Sequence, residues 1–324
     1  MTRPRLANLI GILIGAAGLA FVAHRIVRDR AEIADALSSA KLGWLVAGAG
    51  TGLIAMTLIG LNWLTILHRA GAAAPWRHGM SWFFVGQLGK YVPGGIWPVV
   101  GQADLSRRSG TTRGVAYSST AMSMVATFLG AATVAAVAGL IAPVDGRLLP
   151  MAIAVARVAV LVGLTAPSIR AALDRAARRV TRRELRLPDA RWFTLLVLRH
   201  VPVWVSFAGM SVFAAVALGV DLDAELVVEL IFVTCISWMA GFVIVGLPGG
   251  LGVREAVFIS MTTALLGSGV AVSAAVLSRV VSIAVDCGGA ALSVAIARTA
   301  PRLAPAPGSD DRSDPDTADR YAAP

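Results

Sequence analysis

Apolar residues in this chain gather into long runs separated by short charged links, with no stretch that alternates at the two-residue period of a strand. Runs of spanning length cover residues 6–23, 42–67, 115–141, 148–166, 192–220, 226–247 and 270–297. A shorter apolar segment occupies 256–266, and a broken one, 80–100, carries Lys90, Pro93, Gly94, Gly95 and Pro98. Between the first two runs, Ile26, Ile33 and Leu37 recur at helical spacing while Arg25, Arg28, Asp29, Arg30 and Glu32 fill the other faces. That pattern predicts a short interfacial helix. The expected fold is an all-α, polytopic integral membrane helix bundle. It has about seven long spans, one short crossing helix at 256–266 and one re-entrant broken helix at 80–100.

Composition agrees. Of 324 residues, 56% are hydrophobic and 15% charged, against roughly 25% charged in soluble domains. A soluble enzyme is excluded. The net charge of +10 comes from 29 basic and 19 acidic residues. Most of the basic residues sit between apolar runs, where orientation in the membrane explains them better than nucleic acid does. The densest basic stretch opens at Arg170 and closes at Arg191, and is expected on the cytoplasmic side with the N-terminus. The link Asp221-Leu222-Asp223-Ala224-Glu225 has no basic residue and is expected outside. Residues 1–297 form the membrane domain; the Pro-, Asp- and Ser-rich stretch 298–324 is expected to be a disordered polar tail.

Two places repeat one device: Gly89-Lys90-Tyr91-Val92-Pro93-Gly94-Gly95-Ile96-Trp97-Pro98 and Gly246-Leu247-Pro248-Gly249-Gly250-Leu251-Gly252-Val253-Arg254-Glu255. Proline removes a backbone donor and glycine weakens a helix, so each break frees polar backbone at membrane depth. Such backbone is tolerated where it is buried in protein or lines a wet cavity. Paired interruptions of this kind point to a midplane site, and two interfacial turns are the simpler alternative.

Isolated charges are the next signal. Arg157, Glu229, Arg279 and Asp286 lie inside apolar runs, where each costs roughly 2.5–3.5 kcal/mol on insertion scales. Arg279 and Asp286 are two helical turns apart on one face. The expected pairs are Arg279 with Glu255 and Asp286 with Arg254. No metal-ligand spacing, phosphate-binding loop or nucleophile–base set is present, so neither cofactor nor catalysis is expected.

At the two breaks the sequence resembles the lysylphosphatidylglycerol synthase transmembrane-domain, or flippase-like, family. The resemblance runs from about residue 34 to 297. It is carried most specifically by Pro248-Gly249-Gly250-Leu251-Gly252-Val253-Arg254-Glu255-Ala256 with Arg279, then by Lys90 to Pro98, and more weakly by Lys41-Leu42-Gly43-Trp44-Leu45. Many members follow the first break with a Gly-Glu pair and an Arg. Here the stretch reads Gly101-Gln102-Ala103-Asp104-Leu105-Ser106-Arg107, a departure that bears on headgroup preference. The resemblance implies a stand-alone member without the aminoacyl-transfer domain, handling an anionic membrane lipid. The site residues are then Lys90, Tyr91, Pro93, Gly94, Gly95, Trp97, Gln102, Pro248, Gly249, Gly250, Gly252, Arg254, Glu255, Arg279 and Asp286. Translocation of a phospholipid or polyprenyl-phosphate carrier leads. A scaffold assisting a separate membrane-associated transferase, or a proton-coupled small-solute transporter, follows.

Overall fold

The computed structural model describes residues 20–92, 97–107, 110–141, 189–243 and 250–301. Most of the first expected span, the span 148–166 with Arg157, the basic stretch up to residue 188 and the tail from 302 lie outside them. So do Pro93, Gly94 and Gly95 of the first break and Pro248 and Gly249 of the second.

Among the described residues the chain is helical, with no strand. The helices are α1 (Arg30–Ser38), α2 (Leu42–Arg69), α3 (Trp76–Gln87), α4 (Trp97–Ser106), α5 (Arg113–Ile141), α6 (Ala190–Leu198), α7 (Val201–Ala217), α8 (Ala224–Val243), α9 (Val253–Leu266) and α10 (Ser268–Arg298). A 3-10 turn, Leu88–Tyr91, extends α3. Five segments are long and apolar enough to cross a membrane: α2, α5, α6 with α7 (Arg191–Ala217), α8 and α10.

Polar contacts at the helix ends sort the bundle into two ends. Arg69 at the end of α2 stacks its guanidinium 4.9 Å from the Trp192 ring of α6. Arg77 of α3 donates to Thr299 just beyond α10. Trp63 of α2 donates its indole N–H to Thr120 of α5 at 3.2 Å, which puts the start of α5 at this same end. Arg69, Arg77, Arg113, Arg191 and Arg298 therefore share one basic end. At the other end the Lys41 N–H bonds the last carbonyl of α7, Ala217 O, at 2.9 Å. The acidic link 221–225 follows from there.

The two broken segments are hairpins that enter from opposite ends. α3 starts at the basic end and α4 returns to it, where Asp104 accepts from Tyr117 of α5. Glycines let the arms close: a Cβ on Gly86 would lie 2.9 Å from the Gln102 backbone nitrogen, and one on Gly89 would lie 2.7 Å from the Trp97 carbonyl carbon. The expected re-entrant element is this hairpin. The second runs from the acidic end along α8 and back along α9. Its arms meet where Gly250, at φ +70°, approaches the Gly241 Cα so closely that a Cβ would sit 2.9 Å away. α9 is about 21 Å long at 1.5 Å per residue, less than the roughly 30 Å hydrocarbon core. The short segment expected to cross is this returning arm, packed against α8.

α10 runs the whole height and packs on α1, α2, α3, α7 and α9. In the core, Trp63, Trp204, Phe83 and Phe232 are fully buried. Trp204 meets Trp238 edge-on at 4.6 Å, joining α7 to α8. The Gly48/Gly52 spacing sets α2 against α7, with Met210 where a Gly52 Cβ would fall.

Gly86→Ala is expected to cost about 1–3 kcal/mol, because backbone of α4 occupies the space. Gly43→Ala, with open space around it, is expected to be neutral or slightly stabilising. Thermal unfolding of both variants in detergent micelles checks the contrast.

Candidate functional site

The tips of the two hairpins meet on α10. Asp286 lies about 18 Å from the basic end of that helix, and Arg279 about 17 Å from the acidic end. The two residues share a face, and each holds one hairpin.

Asp286 is 1% exposed and receives the first tip: Lys90 Nζ stands 2.7 Å from its Oδ2. The Tyr91 hydroxyl donates to the same oxygen. These contacts follow from the local chain. The 3-10 turn after α3 swings two consecutive long polar side chains toward α10, while Gly89 lets Trp97 pass close behind.

Arg279 receives the second tip, with its Nε 3.7 Å from Glu255 Oε1. The other oxygen of Glu255 accepts the Gly252 N–H at 2.8 Å. That is an N3 carboxylate capping the first turn of α9, made possible by the positive φ of Gly252, +83°. Glu255 therefore stabilises the broken helix end and pairs across to α10 at once. Arg254, one residue earlier, points another way and lies over the Phe207 ring of α7 at 5.2 Å.

The Tyr91 ring joins the two halves, with the Lys90 ammonium 5.5 Å and the Arg279 guanidinium 5.9 Å from its centroid. A small cleft of about 10 Å³, room for roughly one water molecule, is lined by Arg254, Glu255, Phe258, Ala275, Ser278 and Arg279. Around it stand three cationic side chains, Lys90, Arg254 and Arg279, and two carboxylates, Glu255 and Asp286. Among the described residues the cluster is one positive charge in excess.

Of the two expected ion pairs, Arg279–Glu255 forms. The pairing of Asp286 with Arg254 does not: Lys90 and Tyr91 take Asp286 instead. Position on the helix explains the difference, since Arg254 belongs to the acidic-end hairpin while Asp286 lies nearer the basic end. Lys90, Tyr91, Gly252, Arg254, Glu255, Arg279 and Asp286 come together, with Gly250 packed behind them on Gly241. Gln102 does not join them; it is 4% exposed and packs on Gly86 between α3 and α4. Asp104, the other acid of that stretch, is half-exposed and pairs with Arg107 at 3.5 Å. Trp97 opens α4 and is 44% exposed. Phe207 and Ser278 belong to the cluster and were not legible. Phe207 reads as one apolar residue among many in its span.

Among the described residues, no group of three or more His, Cys, Asp or Glu could hold a metal. The arrangement defines a polytopic helical membrane protein whose polar site is built from two helix breaks and one continuous helix. The chain belongs to the family described as the lysylphosphatidylglycerol synthase TM region, whose model matches residues 8–287 of the 324. No curated protein matches it. The family makes it a multi-pass membrane protein tied to lipid handling. The match begins earlier than the resemblance read from the motifs and stops within α10, one residue past Asp286.

Lys90→Met strands a buried carboxylate and is expected to cost about 3 kcal/mol. Adding Asp286→Asn should recover most of that loss. Arg254→Met removes only a cation–π contact, worth about 1 kcal/mol. A double-mutant cycle on thermal unfolding in detergent reads all three.

Proposed function

We propose that this protein binds the phosphate of an anionic lipid in the cleft between Arg254 and Arg279 and carries the headgroup across the bilayer. One observation carries the reading: two helix breaks enter from opposite ends and present charged side chains to one helix at mid-depth. A headgroup at that depth is reachable from both leaflets, while apolar helix faces accommodate the tails.

The chemistry of the cleft supports an anion. Arg254 rests on an aromatic ring and forms no ion pair with a carboxylate within 4 Å among the described residues. Its planar fork suits bidentate contact with phosphate oxygens. Glu255 keeps Arg279 paired while the cleft is empty, and an arriving phosphate competes for the same guanidinium. Lys90–Asp286 holds the other hairpin in place. In this reading the protein works as a carrier. The arginines of the basic end, set beside Trp76, Trp192 and Tyr117, support an orientation with that end toward the cytoplasm of a cell-membrane protein.

The test uses purified protein in liposomes containing acyl-labelled phosphatidylglycerol or polyprenyl phosphate, with a membrane-impermeant quencher added outside. Wild type should make inner-leaflet label accessible. Arg254→Ala should slow this by about 10–100-fold, the scale of one lost charge-assisted hydrogen bond, and Arg254→Lys should restore part of it. Inner-leaflet label that stays protected with well-folded wild-type protein, for both lipids, overturns the proposal.

A further inference from the structure

We infer that the segment Arg25 to Glu32 is a latch that positions α9, and that releasing it opens the cleft toward the acidic end. The inference rests on the reading of the cleft as a site but concerns its access, and its test requires no lipid substrate.

α9 is a rod between glycines. At its inner end stand Gly250 (φ +70°) and Gly252 (φ +83°), and at its outer end Gly267 (φ +77°). Those conformations suit glycine and let a helix pivot without bending. The rod carries Arg254 and Glu255 at the inner end. Its outer end is tied to a segment some 240 residues away in sequence.

The tie is made of charge-assisted contacts. Arg25 Nη2 donates to Thr263 of α9 at 3.3 Å, and also to Ser268 at the start of α10. Asp29, 9% exposed, is held by Arg25 Nε at 3.1 Å and accepts from the Ser268 hydroxyl. Glu32 Oε2 accepts the Gly269 N–H at 2.9 Å. That N–H belongs to the first turn of α10, which has no intrahelical acceptor, so Glu32 caps α10 from another helix. The approach is close enough that a Gly269 Cβ would lie 2.4 Å from Glu32 Cβ and 3.0 Å from its backbone carbon.

Helix α1 needs none of these contacts to lie at an interface. An amphipathic segment does that through its apolar face alone. Three ionic side chains aimed at one corner, on both sides of the glycine hinge, are explained by a need to hold that corner. With the latch closed, the outer end of α9 stays against the start of α10, and Ser278, opposite the inner end of α9 beside Arg254 and Glu255, is buried, 4% exposed. With the latch open, α9 is restrained mainly by the Glu255–Arg279 pair, and the cleft is reached from the acidic end.

The experiment places a cysteine at Ser278 in a chain whose exposed Cys287 is replaced by serine. The remaining Cys235 is buried. A membrane-impermeant maleimide is added to proteoliposomes, and labelling from the acidic end is followed. Asp29→Asn, Arg25→Gln and Gly269→Ala should each speed labelling about tenfold or more, as expected when a charged hydrogen bond is lost from a local opening equilibrium. Gly269→Ala acts by displacing Glu32, without removing a charge. Glu32→Gln, which keeps an oxygen for the Gly269 N–H but loses the charge, should label more slowly than Glu32→Ala. Unchanged rates in variants that remain monodisperse overturn the latch, whatever the lipid assay returns. Labelling of Glu32→Gln as fast as that of Glu32→Ala also counts against it. Where Asp29→Asn does not fold, Gly269→Ala and Glu32→Ala decide the matter.

Discussion

Asp286 is buried midway along a helix long and apolar enough to cross a membrane, and the architecture follows from that constraint. A carboxylate on a membrane-spanning helix must find its counter-charge inside the protein. Lys90 and Tyr91 supply it, and in doing so they hold the end of the first arm against α10. Arg279 makes the same demand two turns away and draws in Glu255. α10 thus acts as a spine with two polar sockets. Each break costs helix hydrogen bonds and each buried charge costs solvation; placed together, each offsets part of the other.

Glycine makes the arrangement compact. Gly86 and Gly89 let the arms of the first hairpin touch, and Gly241 with Gly250 does the same for the second. Without these close approaches the arms of each hairpin would be pushed apart. The apolar frame around them is conventional, with edge-to-face tryptophans between α7 and α8 and small residues between α2 and α7. Its rigidity lets two sparse ionic contacts define a site.

Much of this was legible in the sequence. Run lengths and the charge deficit announce a helical membrane protein, and the two Pro-Gly-Gly interruptions mark where polar chemistry collects. The spacing of Arg279 and Asp286 indicates a shared face, and Arg279–Glu255 could be anticipated. The partner of Asp286 could not, because helical periodicity says which residues share a face but not from which end a broken segment enters. Once the hairpins are seen to enter from opposite ends, Lys90 is the cation within reach and Arg254 is not. Phe207 carried no signal, since a ring beneath a guanidinium looks in sequence like any other apolar residue of a span. The segment 24–41 was readable as amphipathic, yet its grip on the start of α10 depends on a contact between residues far apart in the chain.

The interval between Arg279 and Asp286 has one more consequence. Each residue added to an α-helix turns everything beyond it by 100° and moves it 1.5 Å. A single insertion or deletion between the two sockets would aim one of them at lipid while the other still held its hairpin. Side chains along that interval can be exchanged for others of similar size and polarity; their number cannot change. The chain therefore carries a fixed ruler inside a region whose composition is otherwise permissive. Change in this stretch of α10 must come by replacement, with additions and losses confined to the links between helices.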